Sequence, residues 1–245
     1  MKYLRLFFLL LFISSCNETS KKNLTAQEIV DKSIEIAGGN LHERSTISFK
    51  FRDKNYISES KGKTLKRIFS SDSLRYIDIK TNDIFQRYVD DVLVEISDSL
   101  ATVYSNSVNS VFYFAQLPYR LNDPAVNKEL LDEVKIKGKN YYVIQITFNQ
   151  ENGGDDFGDT YLYWMNKETF MPDYLAYDFY TDGGGVRFRE AYNERYINGI
   201  RFVDYKNYEP ENSKVPVLQT ANLFENNQLE LLSDIQLENV KVTLD

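Results

Sequence analysis

The stretch Thr160–Tyr180, TYLYWMNKETFMPDYLAYDFY, constrains the fold more than any other part of the chain. Its first arm alternates, with Tyr161, Tyr163 and Met165 pointing one way and Leu162 and Trp164 the other. Strands place successive side chains on opposite faces, so this period of two marks a strand. Asn166-Lys167-Glu168-Thr169 is polar and suits a turn. Pro172 lacks the ladder N–H and belongs at the start of the returning arm. That arm alternates again, with Tyr174, Ala176 and Asp178 set against Leu175, Tyr177 and Phe179. Both faces carry bulky apolar or aromatic groups, which a sheet with one wet face does not require. A central hairpin is expected, with one face under a helix or around a cavity.

Around the hairpin the chain reads as a long antiparallel meander. With 18 Tyr, 16 Phe and 1 Trp it favours strands, and 245 residues suffice for one large β domain. The first folded element is nevertheless a helix. Thr25 and Glu28 form a T-x-x-E capping box, flanked by Leu24 and Ile29. Ile29, Val30, Ser33, Ile34 and Ala37 make one apolar stripe, which Gly38-Gly39 ends. Strands are then expected at 47–52, 56–60, 64–69, 74–80, 84–89, 92–97 and 101–105, separated by short Gly, Asn and Asp turns. A buried helical turn is expected over Val111, Phe112, Phe114, Ala115 and Leu117, stopped before Pro118. A second short helix is expected after Asp123-Pro124, with Ala125, Val126, Leu130 and Leu131 on its apolar side. Strands resume at 134–137 and 141–148, and after the hairpin at 186–192, 200–208 and 235–244.

The N-terminus carries an address. Lys2 and Arg5 precede the apolar run Leu6–Ile13, which is too short to span a bilayer. The run ends in Ile13-Ser14-Ser15-Cys16, which resembles the lipobox of bacterial lipoproteins. That resemblance implies a signal peptide over residues 1–15, a diacylated Cys16 and a polar tether over 16–23. An ordinary secretory signal with an incidental cysteine, or an uncleaved anchor, are the alternatives. Removing residues 1–15 takes away Lys2 and Arg5, so the formal charge moves from −7 to −9. Such an acidic body lacks the basic footprint that nucleic acid requires. It also gives no electrostatic adhesion to anionic lipid, so membrane attachment is expected through the acyl chains alone. Asn17-Glu18 resembles neither an inner-membrane retention signal nor a surface-export signal, so an outer-membrane anchor facing the periplasm is the expectation. With Cys16 the only cysteine, no disulfide can form within the chain.

A lipidated N-terminus, one opening helix, a long meander and a mid-chain apolar helical interruption recur together in the LolA/LolB superfamily of periplasmic lipoprotein carriers and receptors. The chain resembles that superfamily in layout. The TAQEIVDKSIEIAGG opening and the YLYWMNKETFMPDYLAYDF hairpin also resemble uncharacterised Bacteroidota outer-membrane lipoproteins. The resemblance implies a mainly β, α+β fold over residues 24–245. An antiparallel sheet would curl into an incomplete half-barrel, closed on its open side by the N-terminal helix and short mid-chain helices around an apolar cavity.

A curled sheet needs something inside it, either its own side chains or a ligand. Val111, Phe112, Phe114, Leu117, Tyr161, Tyr163, Trp164 and Tyr177 are the candidate cavity wall. A completely filled aromatic core is the alternative. His42 is the only histidine, so Cys/His catalysis and His- or Cys-rich zinc sites are excluded. No G-x-S-x-G occurs, and no catalytic residue stands out. Asp155, Asp156 and Asp159 lie in a glycine-rich loop and are weak candidates for a calcium site, a plain acidic turn being the simpler account. The leading expectation is a monomeric envelope lipoprotein that binds a lipid or other hydrophobic small molecule and needs no cofactor. A filled-core interaction or assembly module and a carboxylate-dependent hydrolase are the alternatives.

Overall fold

The computed structural model describes residues 23–59, 62–149, 158–180 and 183–244. Cys16, Asp155 and Asp156 lie outside the described residues, and with them the signal peptide and the lipidation site.

The chain opens with α1 (Ala26–Ile36). The Thr25 hydroxyl accepts from the Glu28 N–H at 3.2 Å while Glu28 Oε2 accepts from the Thr25 N–H at 2.8 Å. Two N–H groups that the first turn leaves unpaired are thereby satisfied. Gly38 follows at φ +125°, and a Cβ there would stand 3.0 Å from the Gly199 carbonyl. Glycine is what lets the end of α1 press onto the turn between two later strands.

Six strands follow as a meander: β1 (Ser45–Phe51), β2 (Lys54–Glu59), β3 (Thr64–Ser71), β4 (Leu74–Lys80), β5 (Phe85–Val89) and β6 (Val92–Val94). Then comes α2 (Asp98–Ala115), capped by the Ser97 hydroxyl, which accepts from the Leu100 N–H. Residues 101–105 are therefore helical, not a strand. Thr102 and Val103 suggest a strand by propensity, yet Tyr104, Val108, Val111, Phe112 and Ala115 recur at helical spacing, and tertiary packing of that stripe prevails. Val108, Phe112 and Ala115 are buried against Ile47, Phe49, Tyr56 and Leu65 of the first sheet.

The second sheet is built from β7 (Val126–Leu130), β8 (Val134–Ile136), β9 (Lys139–Phe148), β10 (Tyr161–Asn166), β11 (Pro172–Phe179), β12 (Gly185–Ile197), β13 (Ile200–Pro210) and β14 (Leu229–Ile235). The helix expected after Asp123-Pro124 is instead β7, whose residues pair with β9 from Val126↔Phe148 to Leu130↔Ile144. Leu131 lies beyond it. The alternation expected over 235–244 breaks at Gln236-Leu237. Residues before the break close the second sheet as β14, and those after it, β15 (Glu238–Leu244), pair with β1 in the first. A further helix, α3 (Thr220–Glu225), and β14 itself carry no clear pattern in sequence.

The strand orders are β15-β1-β2-β3-β4-β5-β6 and β14-β13-β12-β11-β10-β9-β7, with β8 beside β9. Both sheets are antiparallel and neither closes on itself. The architecture is an incomplete barrel, mainly β with a few helices, and the expected curled layer is divided between two sheets. Asp204 fastens the crossing between them, accepting from Arg195 at 3.0 Å, Asn193 at 2.6 Å and the Leu237 N–H at 2.9 Å.

The hairpin β10–β11 lies at the centre of the second sheet and is covered on both faces. Tyr163, Met165 and Leu175 pack with Ile29 and Val30 of α1. Leu162, Trp164, Tyr174 and Ala176 pack on the other face with Val217, Ala221 and Phe224. Among the described residues, no helix is long and apolar enough to cross a membrane.

Candidate functional site

A cleft of about 520 Å³ opens between the face of the second sheet, the last turns of α2 and the end of β1. That volume falls within the roughly 300–1,000 Å³ common for small-molecule sites. Its floor is one row of side chains running across neighbouring strands. Tyr161 stands opposite Tyr177, Tyr177 opposite Arg187, Arg189 opposite Asn207, and Asn207 opposite Ser233. Direct opposition puts each pair on one face of the sheet, and all six line the cleft.

The row changes character along its length. At one end Tyr161 and Tyr177 stack with centroids 5.0 Å apart and planes 16° from parallel. Phe148 meets Tyr161 edge-on at 5.7 Å, and Tyr113 of α2 closes over both. Val111 and Phe114 complete this aromatic half. At the other end stand Arg187, Arg189, Asn207 and Ser233. Arg187 pairs with Glu209 at 3.2 Å. Arg189 donates from Nη2 to the Tyr177 hydroxyl at 3.0 Å, and its guanidinium lies over the rings of Tyr177 and Phe114. The cleft is thus amphipathic, with an aromatic pocket leading to a guanidinium-rich rim.

Of the eight expected wall residues, Val111, Phe114, Tyr161 and Tyr177 line this cleft. The other four are solid core. Phe112 points into the first sheet and meets the Phe49 and Tyr56 rings edge-on. Leu117 and Tyr163 are buried in the cluster under α1. Trp164 faces the opposite side of the hairpin, against Phe188 and beside α3. Asp159 is buried at the cleft. No group of three or more His, Cys, Asp or Glu suited to a metal occurs among the described residues. His42 lies away from the cleft, stacked on Tyr119 at 4.4 Å. Burial lowers its pKa to about 4, against the opposing hydrogen bond with the Ala37 backbone.

The sequence gives no expectation for Arg187, Arg189, Asn207, Ser233 and Phe148 as cleft residues. A signal was present in Val186-Arg187-Phe188-Arg189, where Val186 and Phe188 are buried on one face and two arginines share the other. Two cations on the same inward face of a central strand call for a reason.

Several solved structures are similar to this chain, three of which follow. A LolA superfamily protein from Nitrosomonas europaea is 14% identical, with 90% of this chain and 92% of that one covered and a TM-score of 0.49. A DUF1329 family protein from Desulfovibrio piger is 11% identical, with 89% and 93% covered and a TM-score of 0.49. The lipoprotein LppX of Mycobacterium tuberculosis is 9% identical, with 64% and 87% covered and a TM-score of 0.29. No curated protein matches the chain. Residues 2–239 match the model of a family of unknown function, DUF6503, and the chain belongs to that family.

Proposed function

We propose that the protein is an envelope lipoprotein whose cleft binds a lipid or another hydrophobic small molecule. In this reading residues 1–15 are a cleaved signal peptide, Cys16 carries the acyl anchor, residues 16–23 are a tether and residues 24–245 form one binding domain. The anchor sits in the outer membrane and the domain faces the periplasm as a monomer. Its role is to bind or carry, not to catalyse.

The observation that carries this reading is the aromatic half of the cleft. Val111, Tyr113, Phe114, Phe148, Tyr161 and Tyr177 converge on space that their own side chains leave open. Further along the same face, under α1, Tyr163 and Ile144 are wholly buried. Apolar surface left around a cavity is stabilised by an apolar occupant.

Native mass spectrometry of the full-length protein, extracted from its membrane in mild detergent, tests the proposal. The expected spectrum shows a small-molecule adduct that is lost on collisional activation, distinct from the covalent anchor mass. A chain that flies bare, and stays bare after incubation with palmitate and with hexadecanol, overturns it.

A further inference from the structure

The cleft's rim points to the chemistry of the ligand's head. Among the described residues, every arginine that is buried or half-buried has a carboxylate partner, with one exception. Arg67 and Arg87 share Asp78, Arg120 holds Asp123, Arg187 holds Glu209, Arg195 holds Asp204 and Arg201 holds Glu194. Arg189 is the exception. It is half-buried, and its partners are the Tyr177 hydroxyl at 3.0 Å and the Asn207 amide oxygen at 3.4 Å, both neutral. A guanidinium has five N–H donors, and these two bonds leave three for another acceptor. Taking a charge partly out of water is costly unless an opposite charge meets it.

The surroundings reinforce the point. Among the described residues, four arginines line the cleft (Arg52, Arg120, Arg187 and Arg189) against two acids, Asp123 and Asp159, in a chain whose formal charge is −7. Asp123 is paired with Arg120 at 2.6 Å, and Asp159 is engaged in an interaction of its own. The site is therefore locally cationic on an acidic protein, a pattern that concentrates anions at the opening. Arg189 also lies over the rings of Tyr177 and Phe114, which belong to the aromatic half. Charge and apolar pocket adjoin within one side chain's reach.

We infer that the ligand is an amphiphile with an anionic head, a carboxylate or phosphate seated on Arg189 with its tail among Phe148, Tyr161 and Tyr113. This rests on the binding role proposed for the cleft. Charge-assisted hydrogen bonds to guanidinium are about twice as strong as neutral ones, so the head sets the preference and the tail supplies the bulk of the burial.

The test uses the full-length lipoprotein in mild non-ionic detergent, with binding read by native mass spectrometry against palmitate, hexadecyl phosphate and hexadecanol. The wild type is expected to prefer either anion over hexadecanol by about tenfold or more. The tighter of the two anions assigns the head as carboxylate or phosphate. Arg189→Gln is expected to abolish that preference while hexadecanol still binds, which also shows that the variant is folded. Arg189→Lys is expected to retain most of it. Equal binding of palmitate, hexadecyl phosphate and hexadecanol by the wild type overturns the anionic head but leaves the apolar cleft standing. An anion preference that survives Arg189→Gln removes Arg189 as its seat. Failure of all three ligands to bind overturns the lipid reading as well.

Discussion

Tyr161 and Tyr177 stand directly opposite one another on β10 and β11, their rings stacked at 5.0 Å over the floor of the cleft. Stacked pairs contribute about 0.5–1.5 kcal/mol beyond the area they bury. In a double-mutant cycle of Tyr161→Ala and Tyr177→Ala, followed by urea denaturation, a coupling energy of about that size is expected. Independent, additive losses would mean that the rings lie side by side without supporting each other.

Filling the cleft should separate its binding role from its contribution to stability. Ser110 is exposed on α2 and lines the opening. Ser110→Trp places a large ring at the mouth without removing any core atom. Stability is expected to change by less than about 0.5 kcal/mol, as for most surface substitutions. The ligand adduct in native mass spectra is expected to disappear. A persisting adduct would locate the bound molecule elsewhere, for instance in the groove beside Trp164 and Leu218 on the other face of the sheet.

Much of this layout was legible in sequence, and the boundary of legibility is physical. The Thr25–Glu28 capping box and the two-faced hairpin are local, so spacing alone reveals them. Residues 101–105 are not legible locally, since Thr102 and Val103 carry strand propensity whereas the helix is held by Val108 and Phe112 packing onto a distant sheet. Phe112 and Phe114 look alike in sequence. They are two residues apart on α2 and so diverge by about 200° around its axis. One enters the first sheet and the other lines the cleft. Arg189 illustrates the limit most clearly. Its significance lies in the neutral partners that the register of β11, β12 and β13 brings to it, and no local pattern encodes a register between strands.

Asp78 is wholly buried and takes both Arg67, at 2.8 and 2.6 Å, and Arg87, at 2.7 and 3.0 Å. The three side chains tie β3, β4 and β5 together beneath α2, where Arg67 also donates to Ser107 at 2.8 Å. Asp78→Asn leaves two guanidiniums without a counter-charge. Removing one partner of a buried ion pair typically costs about 3–5 kcal/mol. A fall of that order in unfolding free energy is expected from denaturant titration. A loss below about 1 kcal/mol would show that water reaches the cluster and screens it.

His42 makes the fold acid-sensitive. Burial lowers its pKa from the ordinary 6.5 to about 4, and it sits stacked on Tyr119. The native state keeps the ring neutral, so between pH 6.5 and about 4 the unfolded chain binds the extra proton. Stability from this residue is complete above pH 6.5 and falls as the pH is lowered through that window, by on the order of 3 kcal/mol in all. His42→Phe keeps a ring against Tyr119 and removes the titration. Because carboxylates also titrate in this range, the informative quantity is the difference between wild type and variant. Between pH 7 and pH 4 the wild type is expected to lose more unfolding free energy than His42→Phe. Parallel pH profiles would show that the imidazole charges without hindrance in the folded chain.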